Sequence, residues 1–491
     1  MLEDRYLAPV EEPLLDLRLP DVLPAATGTQ ALVVTLLGLG VDDDTARRAA
    51  AVVGELIVEA RKRETYDAST SAIHLSVRRA GDRLRVSVND RRAPDVVGIA
   101  AERLSWKLAR LGFVENLQSR SDERGNATEC DVVIGMSVGP SATPADEVVL
   151  VTDEVAEHVQ VRAATPADAE GITQLAFRTV GFTHIDTQLY SVEALRSRLD
   201  SGGLISFVAV GPDGEIVGHI ALVDEEDDIV PEWGRLMVDA RWRGRKLSTQ
   251  LGIASLQGAH ERELPFLWSE CTARHPIAQK GSIAAGGIEV GLLIGAVPDT
   301  VTLAGFERTT PGRGSLVPFA IPVKRGPART VSLPEHHWPM YREVVERLGI
   351  ERDLTDPVTF TLDGVSDIHV GVHAGFSVGR IAVRRMGSDV TQRVADEYLA
   401  MAASGLAVVY IDIGLDDPAA AEAIRVAEAN GFFWAALLPE ARADGDVLRM
   451  QRIGWVGVDA ESCVYASEFG ERMGAYVRSE WARVMAPAQS R

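Results

Sequence analysis

Cysteine is scarce in this chain: three in 491 residues, Cys130, Cys271 and Cys463, with no CxxC pair. Thiols so few and so widely spaced exclude a disulfide framework, and no metal site is expected. No apolar run approaches the about 20 residues of a membrane helix; the nearest, Gly287 to Val297, is short and contains Glu289. The opening Met-Leu-Glu-Asp-Arg is too polar and acidic for a signal peptide. Positive charge is also short, 50 Lys plus Arg against 71 Asp plus Glu, for a net charge of -21. That balance argues against nucleic-acid backbones and anionic membranes as partners and leaves room for a cationic or neutral one. A soluble, reducing, cytoplasmic setting is expected.

What is present is an ordinary globular composition, 46% apolar and 25% charged, at a length that predicts two to four domains. Residues 1–26 are rich in proline and acid and read as an irregular arm. Residues 27–137 change texture. Helical spacing runs from Asp42 to Arg63, strands from Ala72 to Arg78 and Leu84 to Asp90 flank an Arg79-Ala-Gly-Asp82 turn, a helix covers Ile99 to Leu111, and Glu129 to Ile134 closes. Residues 138–157 are small and polar, a linker.

A fresh pattern fills residues 158–325. A strand at Gln160–Arg162 precedes a helix opened by Thr165-Pro-Ala-Asp168. A helix near Val192–Leu199 follows, then a hairpin of Ile205–Val210 and Ile216–Val223, a strand ending at Val238, and a helix from Arg245 to Glu261. Residues 326–456 alternate helices (Met340–Leu348, Val390–Ser404, Ala419–Asn430) with strands (Ile368–Val372, Gly379–Arg384, Ala407–Asp412, Val447–Ile453). They read as a weak duplication of 158–325. Residues 457–491 end in a closing helix with Trp481 and Val484 on one face.

The most informative segment is Val238-Asp-Ala-Arg-Trp-Arg-Gly-Arg-Lys-Leu-Ser-Thr-Gln-Leu251. A strand ends in a basic, glycine-containing turn that runs straight into a helix, so backbone N–H groups and the positive helix end converge on one place, a cradle for a pyrophosphate. The segment resembles the acyl-CoA pyrophosphate loop of the GNAT acyltransferases, Arg/Gln-x-x-Gly-x-Gly/Ala, with Arg241 and Gly244 in place. Lys246 stands where Gly or Ala is usual, which either crowds the loop or adds a charge to the phosphate. The resemblance implies that acetyl-CoA or another acyl-CoA binds as co-substrate, its pantetheine along Val238 and its pyrophosphate on Arg243, Gly244, Arg245, Lys246, Leu247 and Ser248. His275 and Ala278 occupy the start of a later family helix, His275 where Asn is expected, as a ligand-side donor or helix-start residue. The general-acid Tyr of many members is missing at and around Ser282. Glu232, six residues before Val238, sits at the depth where some members hold a base carboxylate. It either takes a proton from an attacking amine or follows the acidic Asp224–Asp228 turn as a solvated residue.

The flanks carry fainter resemblances. Glu55, Asp90, Pro94 and Gly125-Asn-Ala-Thr128 resemble the nucleotide motifs of GHKL ATPases of the anti-sigma-factor type, but Glu59 replaces the family's Asn and Arg92 a Gly. The fold is expected there with weak or absent ATP binding and a partner-binding role. Ala429-Asn-Gly-Phe-Phe-Trp434 resembles the Gly-Phe end of a GNAT domain, with no pyrophosphate loop before it. The whole reads as an α/β (α+β) chain, a GHKL-like α/β sandwich followed by two GNAT-like mixed sheets, the second degenerate. The expected activity is acyl transfer to a small-molecule or protein amine by direct attack on the thioester. The alternative is a non-catalytic regulatory protein that senses acyl-CoA.

Overall fold

The computed structural model describes residues 12–19, 32, 35–61, 72–91, 114–122, 125–134, 158–180, 186–224, 229–298, 312–356, 363–373, 376–403, 406–454 and 456–486. The readings of a helix at Ile99–Leu111, of the 138–157 linker, and of Arg92 and Pro94 lie outside them. So do the side chains of Glu55 and Glu59.

The first sheet contains β1 (Glu12–Leu19), β2 (Ile73–Ala80), β3 (Arg83–Asp90), β4 (Glu115–Asp122) and β5 (Gly125–Val133), ordered β1-β2-β3-β5-β4 and antiparallel throughout. Alternation sets its inner face: Ile73, Leu75 and Val77 on β2 and Leu84, Val86 and Val88 on β3 are buried. They meet Ala46, Ala50, Val53, Ile57 and Ala60 of helix α1 (Asp43–Arg61), one stripe at helical spacing. The N-terminal arm is a correction. Residues 12–19 form an edge strand on β2, with Leu15, Leu17 and Leu19 on alternate residues beside the prolines and acids that mask the pattern. β4 is a second addition, a polar strand whose sequence shows no alternation of apolar residues.

The central sheet is built from β6 (Gln160–Ala163), β7 (Leu204–Val210), β8 (Ile216–Val223), β9 (Glu232–Val238), β10 (Phe266–Thr272), β11 (Ile288–Glu289), β12 (Leu293–Val297) and β13 (Gly314–Pro322). Its order is β11-β13-β10-β9-β8-β7-β6, with β12 on β13. Helices α2 (Ala169–Val180) and α3 (Val192–Ser201) pack against one another near β8. α4 (Leu247–Glu261) crosses from β9 to β10, and α5 (Ile277–Ala284) follows β10. All neighbours are antiparallel except β9 and β10, which run parallel and share one registered pair, Trp268↔Glu232. Beyond that pair the two strands part.

A parallel pair, β14 (Arg329–Ser332) with β15 (Arg352–Thr355), flanks helix α6 (Trp338–Leu348). The last sheet holds β16 (Asp367–His373), β17 (Val378–Arg385), β18 (Val408–Gly414), β19 (Phe433–Arg442) and β20 (Gly445–Ile453), ordered β16-β17-β18-β20-β19. α7 (Val390–Ala403) and α8 (Ala420–Ala429) connect its strands, and α9 (Glu468–Met485) closes the chain with Trp481 and Val484 against the core. The connectivity repeats that of the central sheet: an antiparallel hairpin, a parallel pair joined through a helix, then an antiparallel closure. Here, however, the parallel β17–β18 pair is zipped over six residues, from Val378↔Val408 to Val383↔Ile413.

These two sheets share one apolar core that includes Phe319 and Leu292 from one side and Trp434, Phe433 and Ile411 from the other. Gly291 crosses so close to β19 that a Cβ there would lie 1.9 Å from the Ala435 carbonyl oxygen. Leu292 N–H donates to Ala435 O at 2.9 Å, and Leu437 N–H to Val290 O at 2.9 Å.

Candidate active site

The parting of β9 and β10 is made locally. Trp268 N–H donates to Pro231 O at 3.0 Å, and the ladder goes no further. On the other side β9 bulges against β8, the register shifting between His219 and Ala221. Arg235 takes a positive φ of 53° at the bulge, a conformation that costs a non-glycine residue about 1 kcal/mol or more. The buried His219 pins it, Nδ1 donating to Arg235 O at 3.0 Å and Nε2 meeting Ser206 Oγ at 3.0 Å. Bulge and splay together leave a wedge between Gly234–Val238 and Glu270–Thr272, with Val238 half-buried on its edge.

The basic turn closes one end of this wedge. Asp239 accepts from Arg241 N–H at 3.0 Å and is gripped by the Arg241 and Arg178 guanidiniums. Arg241 also reaches Glu215 at 2.9 Å, so it braces the turn and does not face the cleft. Those contacts hold the Asp239 carboxyl below its usual range against the opposing effect of burial. Gly244 has a φ of 79° and Lys246 one of 58°, immediately before α4 starts at Leu247. The departure at Lys246 therefore has a conformational meaning: the position needs the left-handed backbone that glycine adopts freely. Arg243, Gly244, Lys246 and Ser248 are exposed and Arg245 half-buried, whereas the Leu247 side chain is buried in the core and offers only its backbone.

The face of the wedge turned away from α4 carries the charge. Glu232 is ion-paired with Arg235, which also reaches Asp186 Oδ2 at 3.1 Å. Gly234 leaves the space that the Glu232 carboxylate occupies, since a Cβ there would sit 2.7 Å from its Oε1. Glu232 is thus a paired carboxylate. Glu270, on β10 two residues past the last registered pair, accepts from Trp268 Nε1 at 3.0 Å. Its carboxyl is raised above the ordinary value, by burial first and then by the negative charge of Glu232. Nothing in the notation Phe-Leu-Trp-Ser-Glu-Cys-Thr singles Glu270 out, except an acid on the same face as Trp268 in an otherwise apolar strand.

Residues of the last sheet lie within electrostatic reach of this charge. Tyr410 on β18 is buried, and its hydroxyl is raised by that burial and by the charge of Glu270. Arg449 on β20 lies over the Tyr410 ring, 5.3 Å from its centroid, and is held by Asp412 at 2.8 Å. Burial lowers the imidazole of His373 on β16, against the raising charge of Asp186. Elsewhere, His275 Nδ1 accepts from Ile277 N–H at 3.4 Å at the start of α5, and burial lowers its imidazole. Ser282 is buried between α5 and β10, its hydroxyl 3.3 Å from Cys271 Sγ and from Ser269 Oγ, so it is a packing residue. In the first sheet, Asp90 is buried and accepts from Asn126 Nδ2 at 2.8 Å, an internal strand-to-strand bond.

No protein-family profile and no curated protein matches the chain. Solved structures that it resembles include acetyltransferases, each of the three named here overlapping 34% of this chain. Among them are an N-acetyltransferase from Staphylococcus aureus Mu50 (15% identity, 99% of that chain, TM-score 0.28) and the ribosomal-protein-S18-alanine N-acetyltransferase from Escherichia coli (16%, 96%, 0.28). An acetyltransferase of the GNAT family from Staphylococcus aureus Mu50 overlaps at 13% identity and a TM-score of 0.26, over 99% of its length. Among the described residues no helix is long and apolar enough to cross a membrane.

Proposed function

We propose that the central sheet is an acyl-CoA-dependent N-acyltransferase, and that the last sheet is a degenerate copy which walls its acceptor side. The observation that carries this reading is the splay of β9 from β10, which ends at the left-handed Gly244–Lys246 turn and the start of α4. An extended pantetheine can add to the free edge of β9 near Val238, and its pyrophosphate can meet the backbone N–H groups and cations of Arg243–Ser248. The amine enters between Glu270 and Tyr410. Its nitrogen attacks the thioester carbon, the C–S bond breaks, and the proton lost by nitrogen passes through Glu270 to the departing thiolate. Glu270, not the paired Glu232, suits that role, because a carboxylate raised toward neutrality is the better proton acceptor and donor. Glu232 and Asp186 orient Arg235 and with it the bulge. The first sheet is a partner-binding module in this reading, with ATP binding not expected.

A second reading, an acyl-CoA sensor without turnover, is favoured by two observations: Glu232 is already ion-paired and Ser282 is buried. One experiment separates the two. The purified chain is incubated with acetyl-CoA and a panel of amines while thiol release is followed against pH. The enzyme reading expects turnover that rises with pH through a carboxyl ionising above the usual 4.5. Glu270→Gln should cut it about a hundredfold and abolish that rise, whereas Glu232→Gln should leave the rise in place. CoA binding with no turnover on any amine supports the sensor and sinks the enzyme.

A further inference from the structure

Outside the wedge, four side chains from three elements converge beside the closing helix. His336 and His337 end the single turn Glu335–His337 that precedes α6, Glu428 lies in the last turn of α8, and Glu480 lies on α9. One ligand-capable atom from each lies within 4.8 Å of the others. We propose that they bind one divalent transition-metal ion of the zinc type, which ties α9 to the last sheet.

The donor set argues for that class. Two imidazole nitrogens with two carboxylates form the four-coordinate N/O shell that zinc accepts, while calcium and magnesium call for six or more oxygens. Both imidazoles already point at one oxygen: His336 Nε2 lies 2.9 Å and His337 Nε2 3.0 Å from Glu428 Oε1. Behind the site, Tyr476 Oη sits 2.6 Å from His337 Nδ1, the outer hydrogen bond that fixes a ligand imidazole's rotation. His337 is wholly buried, packed 5.1 Å from the Trp434 ring, so it cannot turn aside to water.

The point of convergence already draws a cation. Arg483 Nη2 touches Glu428 Oε1 and lies 2.6 Å from Glu480 Oε2. Its side chain is 42% exposed, against 10% and 9% for the two carboxylates. Arg483 can therefore swing out to solvent and surrender the carboxylates to a metal, at the modest cost of a half-exposed ion pair. His337 and Glu480 stay anchored by the core around them.

The full-length chain, stripped with EDTA and dialysed, tests this by calorimetric titration with zinc sulfate and by the visible absorption of added cobalt(II). One ion per chain, a four-coordinate cobalt spectrum and a zinc-dependent rise in melting temperature are expected. His336→Ala, at a half-exposed position, should weaken zinc binding about tenfold or more and remove the rise. Arg483→Gln should tighten binding, because the competing cation is gone. Absence of stoichiometric binding by the natural chain overturns the site. So does zinc affinity that is the same in the natural chain, His336→Ala and Arg483→Gln, since the ion then sits elsewhere.

Discussion

Asp168 closes the turn that begins α2, and Arg162 grips it with 2.8 Å bonds to both oxygens. Arg162, opposed by burial and helped by Thr165, pulls its carboxyl down to about 2 from 3.8. A depressed folded-state value places the stabilisation above the ordinary carboxyl range and loses it as pH falls toward 2. Asp168→Asn should therefore cost about 2 kcal/mol at neutral pH by urea denaturation, and the difference from the natural chain should shrink below pH 4 or so. Lys246 is the opposite case. Its φ of 58° is a strain that Gly would relieve, so Lys246→Gly should raise stability by about 1 kcal/mol, seen as a higher melting temperature. Residues of this kind were legible in part. Thr165-Pro-Ala-Asp168 announces its capping box and Arg241–Ser248 its turn. Arg235 and Asp186 were not legible, because an ion pair across 49 residues leaves no local pattern.

Among the elements, β2 and β3, whose buried and open residues largely alternate, were readable to within a residue or two, as were β7 and β8, whose apolar runs are set off by the Gly211–Gly214 turn; the helices Asp43–Arg61, Val192–Ser201 and Leu247–Glu261 were read as closely. β4 and β10 were not. The first carries almost no apolar residues, and the second is buried on both faces, so period-two contrast disappears. The difference between the two parallel pairs belongs to this scale as well, since no side-chain pattern reports whether neighbouring backbones are zipped. It predicts unequal behaviour from similar basic segments. Arg243→Ala with Arg245→Ala should weaken CoA binding about tenfold, or 1.4 kcal/mol, whereas Arg384→Ala with Arg385→Ala, at the end of the zipped β17, should leave calorimetric affinity unchanged.

At the scale of the whole molecule the order of helices and strands predicted a mixed α/β chain, and the sheets bear out that character. The sharing of one core by two sheets was not foreseeable, because the boundary near residue 325 reads as a break in sequence while Gly291, Arg313 and Ala435 lie on both sides of a continuous structure. Arg313 is buried and donates to Gly295 O at 2.6 Å and, across the seam, to Phe376 O. Gly291→Ala should consequently destabilise the chain by several kcal/mol (on the order of 3), read as an early melting of both sheets in a single transition. The crossing at Gly291 has a further consequence. Two lobes fastened backbone to backbone resist parting at that crossing, so in the proposed enzyme the space between Glu270 and Tyr410 should keep one width. An amine would be admitted by its girth, as by a sieve, and a bulky acceptor would be turned away however well its charge matched.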